Sequence, residues 1–286
     1  IQTIDSLNLG LARRLPVMSG LGAGLGVEED ARELYRTAAG RLLEHLPGGE
    51  PLHSCAVATL LGHLDNRVPR LVELVVEMLS RREAWGAELP GITDDPERNA
   101  ALRTRLEAAR SRLVTAHLEA LSRAFPRELL ADAFAVGRDA ADTLRANGPE
   151  SPVTALANAD ALPGAAAEDA MAWLAFATLL LTEAGTPRKS FDYRVGFAPG
   201  PEGKALKARA REVTLALEAL PELAAQLHAV RSLPDARYAD DEWEVLAAQL
   251  VVLRLAAAEL EVVFAERRAA DYPRFAAAAL DALGPE

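Results

Sequence analysis

The sequence predicts an all-α fold, an irregular multi-helix bundle around one long central helix, on three observations. Ala and Leu dominate the composition while isoleucine occurs only at Ile1, Ile4 and Ile92, so the β-branched supply that strands need is thin. From Asp241 to Arg268, the apolar residues Trp243, Leu246, Leu250, Leu253, Ala257, Leu260 and Phe264 recur at alternating steps of three and four. Elsewhere, similar runs are separated by Pro, Gly, Asn and Asp, the residues that stop and start helices.

The 241–268 stretch is the predicted centre. Val245, Val252, Ala256 and Val263 form a second stripe beside the first, so the helix needs neighbours on more than one side. Asp241 with Glu244 reads as the N-terminal cap, and Arg267 and Arg268 sit at the negative C-terminal end. At about 1.5 Å per residue the helix is roughly 40 Å long.

The remaining elements follow in order. Ser6 to Leu15 reads as a short helix ended by Pro16. Gly20, Gly22, Gly24 and Gly26 alternate with apolar residues, but the spacing is not that of a phosphate-binding loop and no Gly-Lys-Ser/Thr follows, so they read as a connector. Glu28 to Leu46 is an amphipathic helix stopped by Pro47-Gly48-Gly49. His53 to Leu64 and Asn66 to Trp85 form a helical hairpin, with Asn66 as cap and Pro69 tolerated in the first turn. Asp95-Pro96 opens a helix reaching about Ala124, and Pro126 opens the next, closed by Asn147-Gly148. Thr154 to Ala161 is at most a short helix. Ala166 to Glu183 is the most apolar helix and a core element. Thr186 to Gly203 carries no helical pattern, and loops of that length are often functional. Helices at Lys204 to Leu220, Pro221 to Leu233 and Pro273 to Leu283 complete the set.

Composition bounds the chemistry. Half of the 286 residues are hydrophobic, enough for one large or two modest cores. The longest uncharged apolar run, Ala170 to Thr182, falls short of the roughly 20 residues of a membrane span, so no membrane partner is expected. The single Cys55 permits no internal disulfide and fits a reducing cytoplasm, the expected location. Next to His53 it reads as a buried thiol rather than a nucleophile. A net charge of −11 opposes general coating of nucleic acid, so any DNA contact must be local. His45, His53, His63, His117 and His228 lie on separate segments, and Glu50 with His53 has no second copy, so no metal site is expected. No acid and base pair stands out among the carboxylates.

One electrostatic feature is unusual. All three lysines, Lys189, Lys204 and Lys207, fall in one segment with Arg188, Arg194, Arg209 and Arg211; against Asp192 and Glu202 these seven cations leave 188–211 at +5 and the remainder at −16. Phe191, Tyr193 and Phe197 are interleaved with them. Two readings stay open: a solvated face with its aromatics in the core, or a grip on a nucleic-acid backbone whose aromatics stack on bases or anchor the loop.

The opening Ile1-Gln2-Thr3-Ile4-Asp5-Ser6-Leu7 resembles the T-[IF]-H-[SG]-[FL] motif of superfamily 1 DNA helicases of the UvrD and RecB/AddA type, with Asp5 where most members carry histidine. Asp271-Tyr272-Pro273-Arg274-Phe275 resembles the block that precedes the Walker B motif of that family. Between them, Leu60 to Asn66, Arg81 to Trp85, and Thr182 through Arg188-Lys189 to Gly196-Phe197 look like blocks of the RecB-like branch, while Ala100 to Leu162 is least similar. The resemblance implies three parts: a remnant of a RecA-like domain at 1–15, a helical 1B-like domain at 16–270, and a lead-in to Walker B at 271–286. It also implies DNA contacts by Thr3 and Ser6, beside those expected of Arg188, Lys189, Arg194, Lys204, Lys207 and Arg211. Neither Walker motif is in the sequence. ATP and Mg²⁺ would therefore belong to a longer parent helicase, and this chain is expected to bind no cofactor and hydrolyse no ATP. Its expected partners are duplex or forked DNA and the remaining helicase domains. A stand-alone helical protein-interaction scaffold is the alternative.

Overall fold

The computed structural model describes residues 4–14, 25–45, 50–86 and 89–283, and among these the fold is all-α. Its helices are α1 (Ile4–Arg14), α2 (Arg32–Arg41), α3 (Pro51–His63), α4 (Val68–Ser80), α5 (Pro96–Ala124), α6 (Arg127–Asn147), α7 (Ala170–Leu180), α8 (Pro201–Glu218), α9 (Pro221–Ala229), α10 (Asp240–Arg267) and α11 (Tyr272–Leu283). Two short strands, β1 (Gly26–Val27) and β2 (Ala269–Ala270), pair in parallel. The chain divides into two compact units, Ile1–Arg103 with Ala239–Glu286, and Thr104–Tyr238. This division differs from the single helical domain at 16–270 read from the resemblance. Residues on both sides of 16 and of 270 fall in the first unit.

In the first unit, α10 packs against α2, α3 and α4. Val252, Ala256, Leu260, Val263 and Phe264 meet Leu34, Val57, Leu61, Val75 and Leu79 in one continuous core. Residues 250–253 are all buried, so α10 is covered on more than one side, as its two stripes predict. Its cap lies earlier than expected. Ala239 is the N-cap, and the Glu242 carboxylate, rather than that of Glu244, accepts the Ala239 N–H at 3.3 Å. Arg268 adopts a left-handed conformation at φ 50°, which ends the helix and turns the chain into β2. Gly26 N then donates to Arg268 O at 2.8 Å, and Glu28 N to Ala270 O at 2.9 Å. The glycine-rich connector thus ends in a strand too short to show alternation.

Asn66 is not the cap of α4. It sits at φ 57° after Asp65 at φ 53°, and the turn is closed by its own N–H donating to Leu61 O at 2.7 Å. Asp95 does cap α5, accepting from Glu97 N at 2.9 Å and Arg98 N at 3.3 Å. At the other end of this unit's chain, α1 packs along α11. Ile4 and Leu7 nevertheless remain 78% and 52% exposed.

The second unit is built on α7. Trp173, Phe176, Leu179 and Leu180 are fully buried, with the Trp173 ring 5.7 Å from Phe125 and 5.9 Å from Phe176. Trp173 Nε1 donates to Gly164 O at 2.8 Å, so the indole is buried without stranding its polar group. The helix is shorter than its apolar run: Ala167–Asp169 is a 3-10 turn, and Leu181 is already extended. Arg188 and Arg231 together cap the sharp end. Arg188 donates to Thr178 O and Leu180 O, carbonyls that a continuing helix would have used, while the Arg231 guanidinium donates to Ala177 O at 2.7 Å, Leu181 O at 3.2 Å and Thr182 O at 2.7 Å.

Candidate nucleic-acid interface

The basic segment joins α7 to α8 in the second unit. Leu181 forms an antiparallel bridge with Pro187, after which Arg188 N donates to Leu180 O at 2.8 Å and its Nε to Thr178 O at 3.3 Å. Arg188 is therefore fastened to the C-terminal end of α7. Lys189 beyond it is exposed. Phe191 and Phe197 then turn inward and stack at 4.7 Å between centroids, which places two of the three aromatics in the core.

Between these anchors the backbone makes a 3-10 turn, Tyr193–Val195. Asp192 organises it: a side-chain oxygen accepts from Arg194 N at 3.0 Å, and its carbonyl accepts from Val195 N at 3.2 Å and Phe197 N at 3.0 Å. Gly196 completes the turn at φ 90°, packed against the backbone of Ala140 on α6. The turn leaves Tyr193 60% exposed, with the exposed Arg194 guanidinium 5.9 Å from its ring.

Helix α8 distributes the other cations. Lys204, Lys207 and Arg211 are spaced by three and four residues and share one flank. Arg211 on that flank donates to Arg188 O at 3.3 Å, to the buried Thr214 hydroxyl at 3.2 Å and to Glu218 at 2.9 Å. Arg209 lies on the opposite flank, ion-paired to Asp139 of α6 at 3.1 Å. The seven cations are therefore not one patch. Arg188, Arg209 and Arg211 hold the local structure, Lys207 is half-buried, and Lys189, Arg194 and Lys204 are exposed. Thr3 lies outside the described residues, and Ser6 falls on α1 of the first unit, with only its backbone described.

A second polar constellation, in the first unit, joins residues that no spacing in the sequence connects. Asp271, 3% exposed, precedes α11 and accepts from the two terminal guanidinium nitrogens of Arg82, the Tyr35 hydroxyl, and the Arg274 N–H at 3.0 Å. Burial by itself would raise the Asp271 carboxyl, but the hydrogen bonds and charge of Arg82 outweigh it and hold the group below the usual carboxylate range. Tyr35 is pushed up to about 12, first by burial and then by its bond to the carboxylate. Each carboxylate oxygen already accepts two donors, so Asp271 has no capacity left as a general base and serves as a lock. Among the described residues no group of His, Cys, Asp and Glu is placed to hold a metal ion, and no helix is long and apolar enough to cross a membrane.

The chain matches no family model, no curated protein and no solved structure.

Proposed function

We propose that the chain is a DNA-binding accessory region, of the helical 1B-like type, of an ATP-dependent superfamily 1 DNA helicase. ATP and Mg²⁺ act elsewhere in that protein, and the segment between α7 and α8 contacts the DNA backbone. The observation that supports this reading is the exposure of Lys189, Arg194 and Lys204 on a segment whose arginines Arg188, Arg209 and Arg211 are tied to acceptors within the chain. Exposed cations are what phosphate contact requires, and the −16 of the remaining chain limits the contact to this place.

With Lys207 included, three or four phosphates are neutralised. The log-log salt slope is then about −3 to −4, with affinity in the non-specific range of about 0.1 mM to 1 μM at physiological salt. Phosphate contacts carry no base information, so sequence preference is slight. The test is fluorescence anisotropy with labelled forked DNA at about 20 mM salt. Lys189→Glu/Lys204→Glu should weaken binding several-fold and flatten the slope, whereas Arg123→Glu, an exposed cation on α5, should change little. Absence of binding by the native chain at that salt sinks the proposal.

A second reading, a helical protein-interaction scaffold, draws on the first unit. Exposed Ile4 and Leu7 of α1 and Leu280 and Leu283 of α11 are apolar side chains of two helices packed together, and Ile4 and Leu280 line a cavity of about 840 Å³. On this reading the chain leaves DNA unbound in the same experiment.

A further inference from the structure

We infer that Tyr193 is a stacking platform for an unpaired base, so that the basic segment takes a DNA strand with exposed bases in preference to a closed duplex. The inference rests on the DNA reading above and names the form of DNA that the site selects.

The loop sorts its three aromatics. Phe191 and Phe197 are buried and stacked on each other, while Tyr193 between them is 60% exposed. The ring is not left outside by a slack backbone. Asp192 closes the turn with three hydrogen bonds, the phenylalanines anchor both ends, and Gly196 presses against α6 at a φ that side chains rarely adopt. A turn so restrained presents Tyr193 in one place, and a rigid aromatic with two side-chain torsions loses little entropy when a ligand covers it.

The surroundings supply the rest of a strand-binding site. Arg194 is the next residue, and Lys189, four residues earlier, cannot lie farther than about 14 Å along the chain. Lys204 follows Gly203, which packs against Ala198, five residues beyond Tyr193. Cations that precede and follow one exposed ring in the chain match a strand whose base lies on the ring while neighbouring phosphates meet the cations. Bases within a duplex have their faces covered by their neighbours. Only an overhang, a fork or a single strand offers a free face.

The experiment compares three ligands on the full chain at about 20 mM salt: a thymidine oligonucleotide, an abasic deoxyribose-phosphate strand of equal length, and a blunt duplex. Tyr193→Ala, Tyr193→Phe and Lys189→Glu/Lys204→Glu are assayed by anisotropy. A 2-aminopurine base in a single strand reports stacking by its fluorescence. The native chain and Tyr193→Phe should bind the thymidine strand about fivefold or more tightly than the abasic strand, with the 2-aminopurine signal changing on binding. Tyr193→Ala should lose that margin and the fluorescence change while keeping the salt slope, because no phosphate contact is removed. Its side chain is mostly solvated, so its thermal midpoint should match the native chain. If Tyr193→Ala binds the thymidine strand as the native chain does, while the charge reversal still weakens binding, stacking is wrong and the DNA reading stands. If the native chain binds none of the three ligands, both fail.

Discussion

Arg82 and Asp271 are 189 residues apart in the sequence and meet in a two-pronged ion pair, one prong 2.6 Å long, beside the Phe264 ring of α10. Arg82 follows α4, Asp271 opens α11, and Tyr35 of α2 donates to the same carboxylate. Three elements that share no local sequence signal are thus held by one carboxylate.

Removing the charge of Asp271 leaves the Arg82 guanidinium buried without compensation. Asp271→Asn should therefore destabilise the first unit by about 3–5 kcal/mol, whereas replacing both partners with apolar residues (Arg82→Met/Asp271→Leu) should cost much less. Acid should reveal the same pair. The folded carboxyl is held below its unfolded value of about 3.9, so its contribution is complete above that value and is lost as pH falls through the folded one. Urea unfolding between pH 7 and pH 3 should show native stability falling at the acid end and a flatter profile for Asp271→Asn. A midpoint for Asp271→Asn equal to the native one at pH 7 would remove the lock from this account.

Two glycines with positive φ separate backbone strain from packing. Gly196 at φ 90° faces the Ala140 carbonyl, which a Cβ would overlap, while Gly200 at φ 101° faces open space. Gly200→Ala should cost only the backbone term, about 1–2 kcal/mol. Gly196→Ala adds displacement of α6 or of the turn, and should cost roughly 3 kcal/mol or more and loosen the presentation of Tyr193. Thermal unfolding with a probe in the second unit ranks the two, and equal costs would argue against the close approach to α6.

Hydrogen exchange should order the helices of the first unit. In α1 the apolar residues Ile4 and Leu7 are mainly exposed, whereas α10 buries Val252, Ala256, Leu260, Val263 and Phe264. Local opening free energy follows buried apolar contact, so amides of α1 should exchange orders of magnitude faster than those at the centre of α10. Equal protection would show that α1 has a better-buried seat than its exposure indicates.

What the sequence determined by itself is local. The helices at Pro96–Ala124, Arg127–Asn147 and Asp240–Arg267 were legible because an α-helix bonds each residue to one four positions away, and its buried face repeats every three or four residues. Asp95 as a cap and Pro126 as a start are equally short-range, and so is the gathering of all three lysines into one segment. Tertiary structure decided which groups meet. The short strands 26–27 and 269–270, the Arg82–Asp271–Tyr35 lock, and the Arg231 cap on α7 join residues tens to hundreds of positions apart, and such pairs leave no periodic trace in one sequence. The candidate site divides in the same way. Its charge was visible in composition, but Arg209 met Asp139 at the surface, while Arg211 turned to Arg188 and Glu218, and Phe191 and Phe197 to the core, because each buried or half-buried group had to find an acceptor or an apolar neighbour in three dimensions. Tyr193, Arg194, Lys189 and Lys204 remain outward after that sorting, and only the folded chain could single them out.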